Sequence, residues 1–446
     1  MNSLPNELVS LILRDATCDE DSLQNTFNDP CVLATYRFTE TDRSYAPMQT
    51  KVALSLVCKR LNVLIQPYLY EYVYAHSSCI GLLLDSLQKR NRARLVKRAD
   101  VHLYDFVPDW ENGWQNVLPL CKNIRILDIY ERLGYPPSDW ATQICFTISK
   151  LSILTRIEWN GPNADIADMQ QLCILCPTIQ HLGMTLNALP ETSDAHNDAF
   201  AIKFPSLRVL LLNWVQPVEV VEAVMYPPFS NWDTPQLEHL TYFIGGRAHY
   251  VLVRGLLENE WGRTITSLEL PVLGKNATFW FDPTVLHKMP KLYTLILDVF
   301  KVILPPLGVS SLSIEHPTLA VLGWRLRIGS ALHDITQIQA HRRHFSLTPG
   351  SPVYFPKLAH VKIVHPHPFD EYYARTLTPP LVAFWKELLE DKEWVPILDF
   401  EGTDLRGYFS GNTNLDEGEG WESIGLVTET SDSCQSLVKE NHWKFR

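Results

Sequence analysis

A six-residue pattern of apolar positions, apolar-x-x-apolar-x-apolar, recurs nine times along the chain. The last two apolar positions of each unit are two residues apart, so both side chains point to one face of a β-strand. We call the first of these two positions the anchor. The anchors are 25 to 39 residues apart, and they are Leu127, Ile157, Leu182, Leu210, Leu240, Leu268, Leu295, Leu322 and Val361. A weaker tenth unit, which ends at Leu103, precedes them.

Proline and helical spacing separate the predicted strands. Proline stands two residues before the first apolar position in six units, where its fixed φ blocks the continuation of a preceding helix. Apolar residues recur every three or four positions between units, as in residues 167–176 and 251–261, which predicts helices there. One strand and one helix cannot bury their own apolar face, but stacked units bury a continuous core against a parallel sheet. The pattern therefore predicts an α/β fold built of repeated units.

The repeats over residues 95–370 resemble a leucine-rich-repeat solenoid. The Asn or Cys that this family usually places after each strand is present only at Asn187, so the expected fold is an irregular solenoid of parallel sheet plus helices over residues 76–378. An ordinary α/β domain with similar strand–helix units is the alternative. A helix at residues 379–400 is predicted to cap the end of the solenoid, and residues 401–446 are predicted to be a polar, partly disordered tail.

A helix with an apolar stripe is predicted for residues 3–16. Ser3 can cap this helix, and Pro5 lies in its first turn. The stripe consists of Leu4, Leu8 and Ile12, with Leu11 beside it. The segment that follows, residues 17–48, is polar and is predicted to be a loop.

A second helix is predicted after this insert. Its apolar residues follow the spacing of a single helix face, and they are Leu54, Val57, Cys58, Leu61 and Ile65. Cys58 is thus expected to be a small apolar side chain in a packed or docking face. Pro67 is predicted to end the helix, and residues 68–74 are predicted to begin the solenoid as its first strand or helix.

The two motifs "LPNELVSLIL" and "LSLVCKRLNVLIQPYLYEYVY" together resemble the F-box. They are most similar to the form common in basidiomycete fungi, in which a long insert separates the motifs and leucine-rich-like repeats follow. The resemblance implies that residues 1–75 are a helical module that docks on the Skp-type adaptor of a cullin-RING (SCF) ubiquitin ligase. The residues that match the adaptor contacts of the family are Leu4, Pro5, Leu8, Ile12, Leu56, Val57, Cys58 and Leu61. Leu61 stands where the family usually has Trp. The alternative is that this apolar face caps the first repeat.

The composition argues against several function classes. A net charge of −11 argues against a general nucleic-acid binder, and the basic residues 88–98 are expected to be a solvated helix face or junction. Nine cysteines, mostly in apolar surroundings, are typical of a reducing compartment. The sequence shows neither a secretory signal nor an apolar run long enough to cross a bilayer. We therefore expect a cytoplasmic or nuclear protein that binds neither nucleic acid nor membrane.

The sequence contains no recognisable motif for catalysis, metal binding or nucleotide binding. Cys173 and Cys176 form a C-x-x-C without the second ligand pair that zinc needs, so they are expected to be buried structural thiols. The histidine-rich residues 341–344 lack the glutamate and the spacing of a metalloprotease helix. No G-x-S-x-G, G-x-G-x-x-G or P-loop pattern occurs. We expect a protein that is not an enzyme and uses no cofactor or metal.

The strand positions that alternate with the anchors point away from the predicted core. Charged residues of both signs occupy many of them: Asp128, Glu158, Glu269, Asp298, Arg156, Arg325 and Lys362. A mixed, partly aromatic face suits protein recognition, and the candidate contacts for a target protein are Tyr130, Leu211, Asn213 and Phe243. A plain solvated sheet is the alternative.

The functional expectation combines the two regions. The chain is expected to be the substrate-recognition subunit of an SCF-type ubiquitin ligase, with a Skp-type adaptor and an unidentified target protein as partners. The alternative is a leucine-rich-repeat scaffold for protein interactions that has no link to a ubiquitin ligase.

Overall fold

The computed structural model shows a mixed α/β chain with short helices before and beside a long parallel sheet. It describes residues 4–17, 31, 48–75, 79–103, 113–131, 140–164, 166–187, 202–215, 232–243, 260–271, 279–280, 283–298, 302–303, 316–325, 355, 357–364, 395–398, 402–404 and 406.

In the described part of the chain, the helices α1 (Asn6–Thr17), α2 (residues 48–57) and α3 (Lys59–Leu69) precede the sheet, and Cys31 is also helical. The prediction of one continuous helix after the insert is wrong, because α2 and α3 meet at Cys58. The backbone of Cys58 is extended, with φ −161° and ψ 163°, and its sulfur accepts a hydrogen bond from the Leu61 N–H at 3.4 Å. Cys58 is therefore the N-cap of α3.

The prediction that Pro67 ends the helix is also wrong, because Pro67 lies inside α3. The helix continues to Leu69, and the Tyr70 N–H closes its last turn on the Gln66 carbonyl at 3.3 Å.

Helices α1 and α3 pack against each other and form a small core of their own. Val9 and Leu13 of α1 and Leu61 and Ile65 of α3 are its four buried apolar residues. These residues are four apart on each helix, so they stack on one face. Hydrogen bonds fix the pair: Arg60 Nε donates to Asn6 Oδ1 at 3.0 Å, and the Tyr68 hydroxyl donates to the Ser10 carbonyl at 3.2 Å. Arg60 Nη2 also donates to the Leu4 carbonyl just before α1. We call residues 4–17 and 48–69 the helical module.

Sixteen strands are described. Twelve of them form one sheet in which every pairing is parallel, in the order β1 (Tyr72–Ala75), β2 (Arg98–Leu103), β3 (Ile126–Glu131), β4 (Arg156–Ala164), β5 (His181–Asn187), β7 (Val209–Val215), β9 (His239–Phe243), β10 (Ser267–Leu270), β12 (Thr294–Asp298), β14 (Val321–Arg325), β15 (His360–Val364) and β16 (Ile397–Leu398). Two further parallel pairs are β6 (Ile202–Lys203) with β8 (Trp232–Asp233), and β11 (Phe279–Trp280) with β13 (Val302–Ile303).

All nine predicted anchors lie in one row across the sheet. Leu127 pairs with Ile157, and the row continues in register through every anchor to Val361. Val73 of β1 and Ala99 of β2 precede this row, and Ile397 of β16 follows it. The nine strands, the weaker tenth unit and the first strand before it are thus confirmed.

Five of the six prolines that precede the strands lie inside β-turns, and the sixth, at position 356, lies outside the described residues. In each turn a buried residue before the proline accepts a hydrogen bond from the N–H three residues on, as Cys176 does from Ile179 at 3.2 Å. Proline suits the second position of such a turn because its φ is already correct. The next N–H bonds to the neighbouring repeat, as Gln180 does to the Thr155 carbonyl at 2.8 Å. The turn thereby sets the register of the strand that follows.

Helices cover one face of the sheet and enclose the core. They are α4 (Ile80–Gln88), α5 (Trp114–Val117), α6 (Trp140–Ile148) and α7 (Ile166–Leu175), with 3₁₀ turns at Lys89–Leu95, Leu118–Leu120, Glu260–Arg263 and Pro283–Lys288. Helix α7 confirms the prediction for residues 167–176, whereas residues 251–259 lie outside the described part. One apolar cluster runs from Val73 to Ile397.

Two predicted segments have a mixed outcome. The basic residues 88–98 form a 3₁₀ turn at Lys89–Leu95 followed by the start of β2, with Arg92 stacked 4.7 Å from the Tyr70 ring centre. In the range predicted as a capping helix, Ile397 and Leu398 form β16, and Leu398 is bridged to Asp404. The prediction of a capping helix is therefore wrong for residues 395–398. Residues 379–394, residues 399–400, most of the predicted tail and the histidine-rich residues 341–344 lie outside the described residues.

Candidate functional site

The helical module exposes a large apolar surface. Leu8 and Ile12 lie one position before the buried pair Val9 and Leu13, so they project beside the small core and not into it. Leu8 is 47% exposed and Leu56 is 77% exposed. We call the seven large exposed side chains the module face: Leu4, Leu8, Leu11, Ile12, Leu56, Val57 and Val63.

Seven of the eight residues predicted to contact an adaptor are exposed: Leu4, Pro5, Leu8, Ile12, Leu56, Val57 and Cys58. The eighth, Leu61, is buried against α1, with 7% of its side chain accessible. The helix break at Cys58 explains the difference, because it rotates Val57 and Cys58 out of the stripe that Leu61 and Ile65 continue. Sequence reasoning missed Val63 and counted Leu11 only as a neighbour of the stripe.

The face of the sheet opposite the core carries the predicted charged residues, but it buries them. Arg98 on β2 has no accessible side-chain surface. Its Nε pairs with Asp100 Oδ1 at 2.9 Å, and its Nη2 pairs with Asp128 Oδ2 on β3 at 2.5 Å. The Tyr72 hydroxyl donates to Asp100, and the Arg98 guanidinium lies 5.1 Å from the Tyr72 ring centre. The alternative of a plain solvated sheet is therefore wrong for this part of the face, and so is the prediction that these charges belong to an exposed recognition surface.

A second charged cluster links β4 and β5. His181 Nε2 is paired with Glu158 Oε1, and Arg156 Nη2 lies 3.5 Å from the same oxygen. Arg156 and His181 have no accessible side-chain surface. Gly183 stands directly beside Glu158 in the register, and a Cβ at this position would come within 3.2 Å of the Glu158 carboxyl carbon. The missing side chain of Gly183 thus makes room for the carboxylate.

A third cluster joins β9, β10 and β14. Arg325 pairs with Glu269, and the Thr241 hydroxyl donates to the other carboxyl oxygen of Glu269 at 2.8 Å. All three side chains are buried. Because buried ion pairs hold their partners in one geometry, these clusters are better suited to fixing neighbouring strands than to meeting a partner in solution.

The four candidate target contacts lie on this same face. Asn213 and Phe243 are direct neighbours on β7 and β9, and both are half-buried. Leu211 lies two residues before Asn213 and is buried. Tyr130 is half-buried on β3, three strands away from β7. The structure therefore brings three of the four together and leaves Tyr130 apart.

Cys31 packs against this face of the sheet, a contact that the sequence analysis did not predict. It comes from the predicted polar insert, yet only 1% of it is exposed. It belongs to one apolar cluster with Ile296 on β12, Val321 on β14 and Val364 on β15. The only sequence signal was the short apolar run Cys31-Val-Leu-Ala inside the insert.

The buried thiols are unsuited to nucleophilic chemistry. Burial raises the pKa of the Cys121 thiol to about 12 and that of Cys176 to about 11. A thiol with so high a pKa stays protonated at neutral pH, and only the thiolate is a good nucleophile. Cys173 is also buried, which confirms the prediction of structural thiols for the C-x-x-C. Among the residues with described positions, no group of three or more His, Cys, Asp or Glu could hold a metal ion.

A search for membrane-spanning helices within the described ranges found none of sufficient length and apolar character.

Comparisons with known proteins show only distant similarity. No family model and no curated protein matches the sequence. The chain is similar to the crystal structure of a TLR13–ssRNA13 complex, at 15% identity and a TM-score of 0.28, over 60% of this chain and 39% of that chain. It is also similar to the crystal structure of the Rad7 and Elc1 complex in yeast, at 10% identity and a TM-score of 0.27, over 76% of this chain and 95% of that chain. At these TM-scores neither similarity carries an argument about function.

Proposed function

We propose that this chain is the substrate-recognition subunit of an SCF-type ubiquitin ligase. Residues 1–75 would act as an F-box that docks on a Skp-type adaptor, and the leucine-rich-repeat-like region would bind a target protein. The observation that supports this proposal most is the module face, where seven large apolar side chains of one small module are exposed. Many large apolar side chains exposed on one small module are typical of a protein-interaction site.

The separation of buried core residues from exposed residues on α1 and α3 supports the same proposal. Val9 and Leu13 hold the module together through Leu61 and Ile65, while Leu8 and Ile12 take no part in this core. The exposed residues are thus free to contact a partner without cost to the fold of the module. Leu61 would then act indirectly, by orienting α1 and α3, and not as a contact residue.

No chemistry of its own is required of such a subunit. It would raise the effective concentration of the target's lysines near the ligase by holding both partners at once.

A protein-interaction scaffold without a link to a ubiquitin ligase is the second candidate. The burial of Leu61 favours it, because the resemblance assigned this residue to the adaptor contact. Under this hypothesis the module face would bind some other protein.

A pull-down of the full chain with a Skp-type adaptor tests the proposal. We expect the wild-type chain to bind, and we expect Leu8→Asp combined with Val57→Asp to abolish binding, because two charges would enter an apolar interface. The matched control is Phe146→Asp combined with Ile174→Asp, two exposed apolar residues on α6 and α7 of the repeat region. This control should retain binding.

Circular-dichroism melts should show that both double variants stay folded. Binding of the adaptor by Leu8→Asp/Val57→Asp would contradict the assigned interface. Failure of the wild-type chain to bind any Skp-type adaptor would favour the scaffold hypothesis.

A further inference from the structure

A row of residues marks the edge of the sheet at which the parallel strands begin. In each repeat the residue two positions before the anchor donates its N–H to the carbonyl of the same residue one repeat earlier, as Arg125 does to Lys97 at 2.8 Å. These hydrogen bonds continue from Glu71, before β1, to Ala359, before β15. Because the turn of each repeat lies just before its row residue, the row and the turns form one edge. We call it the strand-start edge.

Lysines and arginines are concentrated on the strand-start edge, although the chain has a net charge of −11. Eleven exposed cations lie in its row, in its turns or directly before a turn: Arg94, Lys97, Lys122, Arg125, Lys150, Lys203, Arg208, Arg263, Lys288, Lys291 and Lys357. Among the described side chains at these positions, the acids are Glu71, Asp233 and Glu238. Within the described part of the chain, two of the eleven cations form ion pairs, Lys97 with Glu71 and Arg208 with Glu238. The edge is therefore strongly positive, and the remainder of the chain is more acidic than the net charge suggests.

The positive charge is divided into two stretches. The first stretch consists of the cations from residue 94 to residue 208, beside β2 to β7, and the second consists of those from residue 263 to residue 357, beside β10 to β15. Asp233 and Glu238 lie between the two stretches, before β9. The edge is thus interrupted by negative charge at one repeat.

Apolar side chains are exposed among the cations of the first stretch. They lie at the turns of three consecutive repeats, before β3, β4 and β5: Leu120, Ile153 and Leu175. Lys122 and Arg125 belong to the same repeat as Leu120, and Lys150 lies directly before the turn that contains Ile153. From β3 to β7 there are three strand spacings, or about 14 Å, which an extended segment of about five residues spans. Such a segment would meet cations and apolar side chains together.

This combination favours a protein segment over a nucleic acid as the ligand. The exposed apolar side chains of the first stretch are aliphatic, whereas nucleic-acid bases stack on aromatic rings. The acids before β9 also interrupt the edge, and a nucleic-acid backbone has a negative charge at every nucleotide that would have to pass them. A peptide has acidic residues only where its sequence places them, so it can match the first stretch alone.

We infer that the first stretch of the strand-start edge is a docking surface for an acidic, partly apolar segment of a partner protein. Carboxylates of the segment pair with Lys122, Arg125 and Lys150, and its apolar side chains cover the three exposed aliphatic residues. Because these ion pairs lie at the surface, they mainly determine specificity and association rate, and salt weakens them. The use of this surface for target recognition rests on the proposed function of the repeats, whereas the binding of an acidic segment does not.

A fluorescein-labelled peptide of about ten residues that contains both Glu and Leu is the probe for this surface. The control peptide has Gln in place of every Glu. We expect the full chain to bind the acidic peptide at least about tenfold more tightly than the Gln peptide, and this difference should shrink as the salt concentration rises. Fluorescence anisotropy measures both affinities. Equal affinity for the two peptides at low salt would overturn the inference.

Charge reversal in the full chain tests where the peptide binds. Lys122→Glu combined with Arg125→Glu should weaken binding of the acidic peptide at least about tenfold, because two attractive charges become repulsive. The matched control is Lys288→Glu combined with Lys291→Glu, which reverses two exposed cations of the second stretch that are also three residues apart. This control should change the affinity by less than about twofold. Equal weakening in both variants would show that general attraction holds the peptide, and this would refute a site on the first stretch.

A labelled single-stranded RNA of mixed sequence tests the other class of ligand. We expect the RNA to bind at least about tenfold more weakly than the acidic peptide at the same salt concentration. Equal or tighter binding of the RNA would overturn the choice of a protein segment. The variant Leu8→Asp/Val57→Asp should bind the peptide as the wild-type chain does, because its substitutions lie in the helical module. A failure of peptide binding is therefore distinguishable from a failure of the proposed F-box interaction.

Discussion

The helical module leaves a larger share of its large apolar side chains exposed than the repeat region does. The module buries four apolar residues in its own core and leaves seven large ones in solvent. The repeat region places every anchor in one buried row, and its apolar cluster is continuous from Val73 to Ile397. The difference follows from size, because a few short helices cannot enclose all their apolar surface, whereas stacked repeats each cover their neighbour.

A buried leucine and an exposed leucine have different roles in this chain. A leucine of the repeat row contributes to folding, and a leucine of the module face is available for binding. Identical substitutions in the two regions should therefore change different measurements.

The largest effect on stability is expected for Leu210→Ala. Leu210 is fully buried near the middle of the anchor row, so its truncation removes apolar contacts and leaves a cavity, at a cost of about 2–5 kcal/mol in the free energy of unfolding. Leu8→Ala, in the module, should change that free energy by less than about 0.5 kcal/mol. Urea unfolding followed by circular dichroism measures both. A loss of stability in Leu8→Ala as large as in Leu210→Ala would show that the module face is covered.

Substitution of two glycines on the face of the sheet opposite the core should lower the free energy of unfolding by a smaller amount. Gly183→Ala would push the Glu158 carboxylate away from His181, and we expect a loss of about 2 kcal/mol in the free energy of unfolding. Gly323→Ala meets the side chain of Ile296 instead, and a methyl clash with an apolar neighbour should cost about 1 kcal/mol. Equilibrium unfolding of both variants in one buffer gives the comparison. A larger loss for Gly323→Ala would mean that the ion pairs contribute little to the fold.

The sequence predicted the repeat region well because its signals are local. Two apolar residues two apart mark a strand face, and regular spacing places Leu127 and the other anchors in register. The burial of Arg98 and Arg156 could not be predicted in this way. Arg98 pairs with Asp128, 30 residues away, and Glu158, the partner of Arg156, pairs with His181, 23 residues further along the chain. These groups become neighbours only when the strands pair.

The module was harder to predict for two physical reasons. The apolar spacing through residues 54–65 fits one helix, but a backbone break at Cys58 changes which side chains share a face. The position of Cys31 depends on a contact with strands more than 260 residues later in the chain, which no local pattern encodes. Helical spacing alone also does not decide which of two adjacent stripes on α1 packs inward.

The smallest expected effect is on the pH dependence of stability, and it comes from the residues that accept hydrogen bonds in the turns before helix α3 and strand β14. Cys58 in the module and His316 in the repeats each accept a hydrogen bond from the N–H three residues on, but Cys58 is exposed and His316 is buried. His316 Nδ1 accepts from the Leu319 N–H at 3.1 Å, and Nε2 donates to the carbonyls of Leu286 and Met289 at 3.1 and 3.0 Å. The ring must therefore be neutral. Burial lowers the pKa of His316 below its usual value of 6.5, although the two carbonyls oppose this shift, and neighbouring His287 lowers it further.

The sign of the pH dependence follows from this lowered pKa. Well above pH 6.5 residue 316 is unprotonated in both the folded and the unfolded chain. Below that pH the unfolded chain binds a proton that the folded chain still excludes, so stability falls as pH falls until the native pKa is reached. His316→Asn keeps an acceptor for Leu319 without a titrating ring, so its free energy of unfolding should fall less than that of the wild type between pH 7 and pH 5. Urea unfolding at several pH values measures the difference between the two chains, in which the other histidines cancel. Parallel curves for the two chains would show that protonation of His316 is not linked to unfolding, and Cys58→Ser, which alters the exposed cap, should give a curve parallel to the wild type in either case.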